Sequence, residues 1–388
     1  MTDWIEEFVA ATESIGSCRQ FRLWSAIGAM AGALERRVWT ATRVGSLFPN
    51  MYIVLVGEPA AGKTLSIREA RKTIALIPDF GLGPDNPTKA SFFDQFEACQ
   101  RTVNGFNVIT PMTCIVEEWS VFMPKHEEGF CADLSNVYDN PEKYTSPRRT
   151  SKSISLEKPT LNIIAAATPA AIGQFPDAAW NEGFTSRLIM IYGTKPTEVP
   201  DMFEKRQNLD LHDLYKELER IFTDIHGEIF WDEDARLAYN QWRIDGMKPV
   251  PEYGRLSHYN GRRATHVIKL AMVSSASANN IPNVTLSDFN RALEWLTQAE
   301  STMPDVFRAM KTESDDQILQ SFHYHLMSLY GGVGRKDRKP IPRQELWKFL
   351  SERVPSDKIQ YIIDTAENMG LIIRGGGFDN QWIPVSKI

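Results

Sequence analysis

Cysteine is scarce and unpatterned in this 388-residue chain: Cys18, Cys99, Cys114 and Cys131 stand alone, with no C-x-x-C pair. That spacing excludes the usual zinc motifs and a disulfide framework, and points to reduced thiols in an intracellular protein. Long apolar runs are missing too. No stretch approaches the roughly 18 residues of a membrane span, and MTDWIEEFVA carries no signal pattern, so a cytoplasmic protein with no membrane partner is expected. Positive charge is in deficit: 43 Lys+Arg against 49 Asp+Glu give a net charge of −6, so nothing in the overall balance favours nucleic acid. Any DNA contact must come from a local basic patch, because a phosphate footprint needs only a few well-placed cations. There is no internal repeat or low-complexity tract. The hydrophobic (43%) and charged (24%) fractions are those of an ordinary globular chain, and the length suggests two or three domains.

What is present begins at residue 52. Tyr-Ile-Val-Leu-Val runs straight into Gly57, Glu58, Pro59, Ala60, Ala61, Gly62, Lys63, Thr64 and Leu65, and LSIREARKT follows with helix-forming composition. This is G-x-x-x-x-G-K-[ST] between a strand and a helix, the context that a phosphate-binding loop requires. The glycines let backbone N–H groups face an anion at a helix N-terminus. Lys63 would reach the β/γ-phosphates and the Thr64 hydroxyl would bind Mg²⁺, so the chain is expected to bind a nucleoside triphosphate, with ATP and Mg²⁺ as cofactors.

Around this loop the organisation reads in four parts. Residues 1–45 form an N-terminal helical region, whose stretch SAIGAMAGAL (25–34) allows close helix packing and whose end, Arg36 and Arg37, reads as a solvated helix end. Residues 46–200 form the core. Its apolar runs 51–56, 107–116, 161–167 and 187–192 suit strands buried on both faces of a parallel sheet, hence an α/β class. Residues 201–312 are helical again after a Pro-rich connection. Residues 313–388 order as helix, basic turn, two helices and two short strands, which resembles a winged helix. The basic turn carries Arg335, Lys336, Arg338, Lys339 and Arg343 amid nearly balancing acids, so DNA and a protein partner both stay open for it.

TCIVEEWS (113–120) ends a strand in two acids at the edge where open α/β sheets bind ligands. Glu117 would hold Mg²⁺, directly or through water, although one methylene longer than the usual Asp; Glu118 would orient and polarise the attacking water. LNIIAAATP (161–169) resembles the sensor strand that lies between phosphate loop and acidic strand, and Thr168 would position that water. GFTSRLIMIYG (183–193) resembles the segment in which AAA+ ATPases carry an arginine finger, here Arg187, reaching a neighbouring subunit's γ-phosphate. GRRATHVIKLAM (261–272) resembles the lid helix of minichromosome-maintenance helicases, implying a second-sensor arginine at Arg262, with Arg263 as the adjacent alternative. A basic hairpin or extended loop at Arg148, Arg149 and Lys152 resembles the pore hairpin that grips DNA in those helicases and in superfamily 3.

Together the order resembles AAA+ ring helicases of the minichromosome-maintenance and superfamily 3 type. LWSAIGAMAGALERRVWTATRVGSLFPNMYIVLVG and YDNPEKYTSPRRT also look like a family of phage and mobile-element P-loop proteins found beside primase-polymerases. The resemblance, spanning about residues 20–275, implies a P-loop (ASCE/AAA+) parallel-sheet ATPase core with N-terminal helices, helical lid and C-terminal winged helix. It implies an ATP hydrolase that assembles as a homo-oligomer, a hexamer, translocating on single-stranded or forked DNA and unwinding duplex, with a primase or polymerase as a partner. The alternatives are a helicase loader or DNA-remodelling ATPase, and a nucleotide-switched interaction protein without unwinding.

Overall fold

Four apolar stretches form the parallel strands Tyr52–Val56, Asn107–Val116, Pro159–Ala167 and Leu188–Tyr192. The computed structural model describes residues 3–103, 105–123, 128–146, 153–175, 179–180, 183–194, 211–251, 253–310, 315–331, 340–351, 353–354, 356–375 and 381–385. The chain divides into two compact units, Met1–Val306 and Phe307–Ile388.

In the first unit the sheet order is Arg101–Val103, Asn107–Val116, Pro159–Ala167, Tyr52–Val56, Leu188–Tyr192, with only Arg101–Val103 antiparallel. A short extra pairing lies on the outer side of Asn107–Val116, where Leu82 bridges Thr113 in parallel. Every residue of Pro159–Ala167 and of Tyr52–Val56 is buried, so helices must cover both faces. Successive side chains of a strand point to opposite faces. On the Ile53 side lies the helix Arg19–Leu34; a Cβ on its Gly28 would come within 2.5 Å of Ile164, so only glycine permits this approach. On the Tyr52 side lies the helix Glu128–Tyr138, where the Tyr52 hydroxyl donates to the Leu134 carbonyl at 2.8 Å.

The first 45 residues are not helical throughout. After Trp4–Ala11 and Arg19–Leu34, the β-branched and aromatic segment Val38–Thr42 is a strand, paired with Gly45–Leu47 and with Gly227–Glu228. Nor is the helix end solvated. Arg36 is buried and donates to Glu142 at 2.6 Å, and Arg37 lies 4.4 Å over Phe222 while bridging buried Glu35. The helix ends inside the molecule, so both charges need partners there.

The helices His212–Asp224, Glu233–Ile244 and Arg263–Ser277, with Leu286–Met310 as far as Val306, belong to the same unit. Arg263 is fully buried, donating to both oxygens of Glu300 (2.6 and 2.7 Å) and to the carbonyls of Met247 and Pro249. Burial pushes the Glu300 carboxyl up, against the pull of Arg263 and Tyr259. Removing one member strands a buried charge, so Arg263→Ala should cost about 3–5 kcal/mol of stability. Arg236→Ala, which breaks an exposed pair with Glu233, should cost less than about 1 kcal/mol. Urea denaturation of the two variants distinguishes them; equal midpoints would refute the buried-pair account.

The second unit contains the helices Asp315–Tyr330, Arg343–Ser351 and Ser356–Asn368. Its antiparallel sheet is ordered Ile341–Pro342, Gln381–Pro384, Ile372–Arg374, and its core includes Phe322, Leu346, Ile362 and Trp382. Arg335, Lys336, Arg338 and Lys339 lie outside the described residues; Arg343 donates to Gln360 at 2.9 Å. Among the described residues no helix is long and apolar enough to cross a membrane.

Candidate functional site

The loop Gly57–Gly62 leaves the C-terminal end of Tyr52–Val56 and delivers the chain into the helix Lys63–Ala75. Gly62, at φ +83°, is left-handed, and a Cβ there would meet the Gly16 carbonyl oxygen at 2.5 Å. Both facts demand glycine. A Cβ on Gly57 would collide with the Gly193 carbonyl, while the Gly57 N–H donates to Ala167 at 3.3 Å. The loop is thus pinned between the Gly16–Ser17 turn and the end of the edge strand. Glu58, Pro59 and Ala60 are exposed, Ala61 is buried, and Thr64 is half-buried at the head of the helix, with Leu65 exposed beside it. The buried Lys63 ammonium donates to the carbonyls of Gly57 and Glu58, both at 2.7 Å. Burial draws its pKa below the usual lysine value, with Glu58 opposing. A helix N-terminus with an ammonium folded over its loop is equipped to bind an anion.

Strand register brings the acidic residues to the same edge. Val116 pairs with Ala165 and Val56 with Ala167, so Glu117, Glu118 and Thr168 leave the sheet on the side where Gly57 does. Two strand spacings, about 10 Å, separate the acidic strand from the loop strand. Glu117 accepts a two-pronged contact from Arg68 (2.8 and 2.6 Å), which lies one helical turn beyond Thr64. Glu118 is exposed at the head of the short helix Trp119–Phe122 and accepts from the Ser120 hydroxyl at 2.8 Å. The Thr168 hydroxyl accepts the Ala171 N–H at 3.2 Å, capping Pro169–Gly173 and keeping its own proton to donate. Among the described residues no cluster of three or more His, Cys, Asp or Glu ligands occurs. A hard cation here would be held by Thr64 and Glu117 together with phosphate and water oxygens, the pattern that suits Mg²⁺.

No protein-family model and no curated protein matches the chain.

Arg187 and Arg262 are elsewhere. Arg187 immediately precedes Leu188, which is level with Tyr52, so it lies at the opposite end of the sheet from Gly57. Six residues of strand rise put about 20 Å between them. The guanidinium is drawn inward: Arg187 is only 8% exposed, donating to Asp139 at 2.6 Å and to the Gly183 carbonyl at 2.8 Å. Arg262 donates to the other Asp139 oxygen at 3.0 Å. Burial raises the Asp139 carboxyl, but both arginines more than offset it and hold it below the usual carboxylate range. The alternative second-sensor residue, Arg263, is consumed by Glu300 and does not reach this edge.

Three elements converge there. Tyr138, at the end of its helix, lies under Arg187 and Arg262 (each 5.9 Å) and Lys269 (4.0 Å). Lys269 also donates to the Asn50 carbonyl and side chain, both at 2.8 Å. His266, its pKa lowered by burial to about 3, is neutral; its Nε2 lies 3.2 Å from the Ser186 carbonyl and its Nδ1 lies 3.4 Å from the Tyr138 hydroxyl. Sequence reading missed Asp139, Tyr138 and Arg68. Only Arg68 left a signal, its spacing of four from Thr64. Arg148, Arg149 and Lys152 lie outside the described residues; the hairpin stem that brackets them, Lys143–Ser146 with Ile154–Glu157, is formed.

Proposed function

We propose that this chain is an AAA+ type ATP hydrolase that assembles as a ring, tracks on single-stranded DNA and separates duplex. The observation that carries the reading is the division of charge between the two sheet edges. Loop, Lys63, Glu117, Glu118 and Thr168 share one edge, and Arg187 with Arg262 occupies the other, too far to serve the loop of the same chain. Such a site is complete only where the arginine edge of one chain meets the loop edge of the next. The order of the strands, with Pro159–Ala167 between loop strand and acidic strand, supports a P-loop core, and the helices after residue 211 support a lid. The second unit, ordered helix, strand, two helices and two strands, supports a winged helix.

In this mechanism the loop N–H groups and Lys63 hold the β/γ-phosphates, the ammonium exchanging the Gly57 and Glu58 carbonyls for phosphate oxygens. Thr64 and Glu117 would hold Mg²⁺, which would supply neutralising charge to the phosphates. Glu118 accepts the proton of the attacking water, Thr168 orients that water, and a neighbouring chain's Arg187 meets the charge that develops in the transition state. Glu117 would hold the cation with the carboxylate that Arg68 now grips, so the two positive charges would compete for it.

The test is ATP turnover with and without single-stranded DNA, beside a forked-duplex unwinding assay. Stimulation by DNA together with strand separation is expected. A rate indifferent to DNA, with no separation, would overturn the helicase reading. Stimulation without separation would assign the chain to the loader or remodelling class.

A further inference from the structure

Arg187 and Arg262 share a single carboxylate, one oxygen each, at the edge away from the loop. Two guanidiniums against one Asp139 leave a local excess of positive charge. The Asp139 side chain is 49% exposed and that of Arg262 30%, so a solvent anion reaches both directly, whereas Arg187, at 10% and also bonded to the Gly183 carbonyl, is reached once its side chain turns outward. The buried Arg187 Nε has no hydrogen-bond partner among the described residues, which leaves a donor for one more acceptor. The surroundings are held. His266 lies between the Tyr138 hydroxyl and the Ser186 carbonyl, tying the side chain before Asp139 to the backbone before Arg187, and the Tyr138 ring lies within cation–π range of both guanidiniums.

We propose that Asp139 is a built-in stand-in for phosphate, a positioning residue that holds Arg187 and Arg262 drawn back in the lone chain and yields them to a polyphosphate presented by a neighbouring chain. This rests on the reading of Arg187 given above. A polyphosphate brings more negative charge and more acceptor oxygens than a carboxylate, and a planar guanidinium fork matches both. It therefore displaces Asp139 where the two compete. An unassembled chain keeps its arginines neutralised, and assembly around nucleotide releases them.

The experiment titrates inorganic tripolyphosphate by calorimetry into the full chain carrying Lys63→Ala, which removes the loop ammonium as a competing anchor. Asp139→Asn in that background keeps the shape and removes the competing charge, so binding should tighten at least about tenfold, the scale of one charge-assisted hydrogen bond. Asp139→Glu should leave affinity at its starting value. Adding Arg187→Ala to Asp139→Asn should cancel the gain. A merely structural Asp139 would weaken binding when replaced. Unchanged or weaker binding by a folded Asp139→Asn chain overturns the proposal. Should that variant fail to fold, Arg262→Gln decides: a loss of about tenfold or more supports the site, and unchanged affinity overturns it. Failure of the ATPase reading would show separately, as absent turnover in the parental chain while tripolyphosphate still bound at this edge.

Discussion

A chain carrying Lys63→Ala should lose tight ATP binding, whereas Glu118→Gln should bind ATP and fail to turn it over. The two residues leave the same sheet edge but stand in different relations to an anion. Lys63 is buried and held over the loop by the carbonyls of Gly57 and Glu58, where its charge would meet a phosphate on the proposed reading. Its loss removes attraction for ground state and transition state alike. Glu118 is exposed, bonded only to Ser120 by its side chain among the described contacts, and contributes nothing to the loop itself. Removing a general base costs about 10²–10⁴ in rate, so hydrolysis by Glu118→Gln should fall by at least about 10²-fold. Fluorescent-nucleotide titration and phosphate release read the two effects separately. Hydrolysis by Glu118→Gln at the parental rate would remove that carboxylate from the mechanism. Full nucleotide affinity in Lys63→Ala would remove the loop.

Much of this site was legible in the chain because it is local. Gly57 to Gly62 form one loop and Lys63 and Thr64 open the helix after it, so their placement follows from adjacent residues between a strand and a helix. The four buried strands were legible for a related reason: apolar runs without alternation require cover on both faces, and the sheet has it. What was not legible depends on contacts between distant positions. Arg36 and Arg37 looked like a solvated helix end because Glu142, Glu35 and Phe222, which enclose them, lie elsewhere in the sequence. Val38–Thr42 is a partial case: its hairpin with Gly45–Leu47 is local, and only its first two residues take the distant partner Gly227–Glu228. Asp139 sits in a Tyr-Asp-Asn-Pro stretch that reads as a turn, and nothing local says that it gathers Arg187 from 48 residues away and Arg262 from 123. Arg263 and Arg262 are neighbours of identical chemistry. Only the helix direction decides that Arg263 faces inward to Glu300 and Arg262 outward to Asp139.

Arg187→Ala should bind ATP normally and hydrolyse it slowly, by about 10³–10⁵-fold if the guanidinium acts as a finger in trans. The geometry sets the form of the test. Arg187 and its own loop stand at opposite ends of one sheet, so no side-chain rotation brings them together. If it meets a bound phosphate, that phosphate belongs to a neighbour. Mixing Arg187→Ala chains with Glu118→Gln chains should therefore restore part of the activity. At some interfaces the intact Glu118 of an Arg187→Ala chain faces the intact Arg187 of a Glu118→Gln chain. Arg187→Lys should recover little, because an ammonium lacks the planar fork that spans two oxygens. Since Arg187 also anchors to Asp139 and Gly183, melting curves of each variant are needed beside the rates. Loss of activity that tracks loss of melting temperature, with no rescue in exchangeable mixtures, would make Arg187 a structural ion pair. Rescue by a partner that is itself inactive has no such reading, because a misfolded chain gains nothing from a neighbour's arginine.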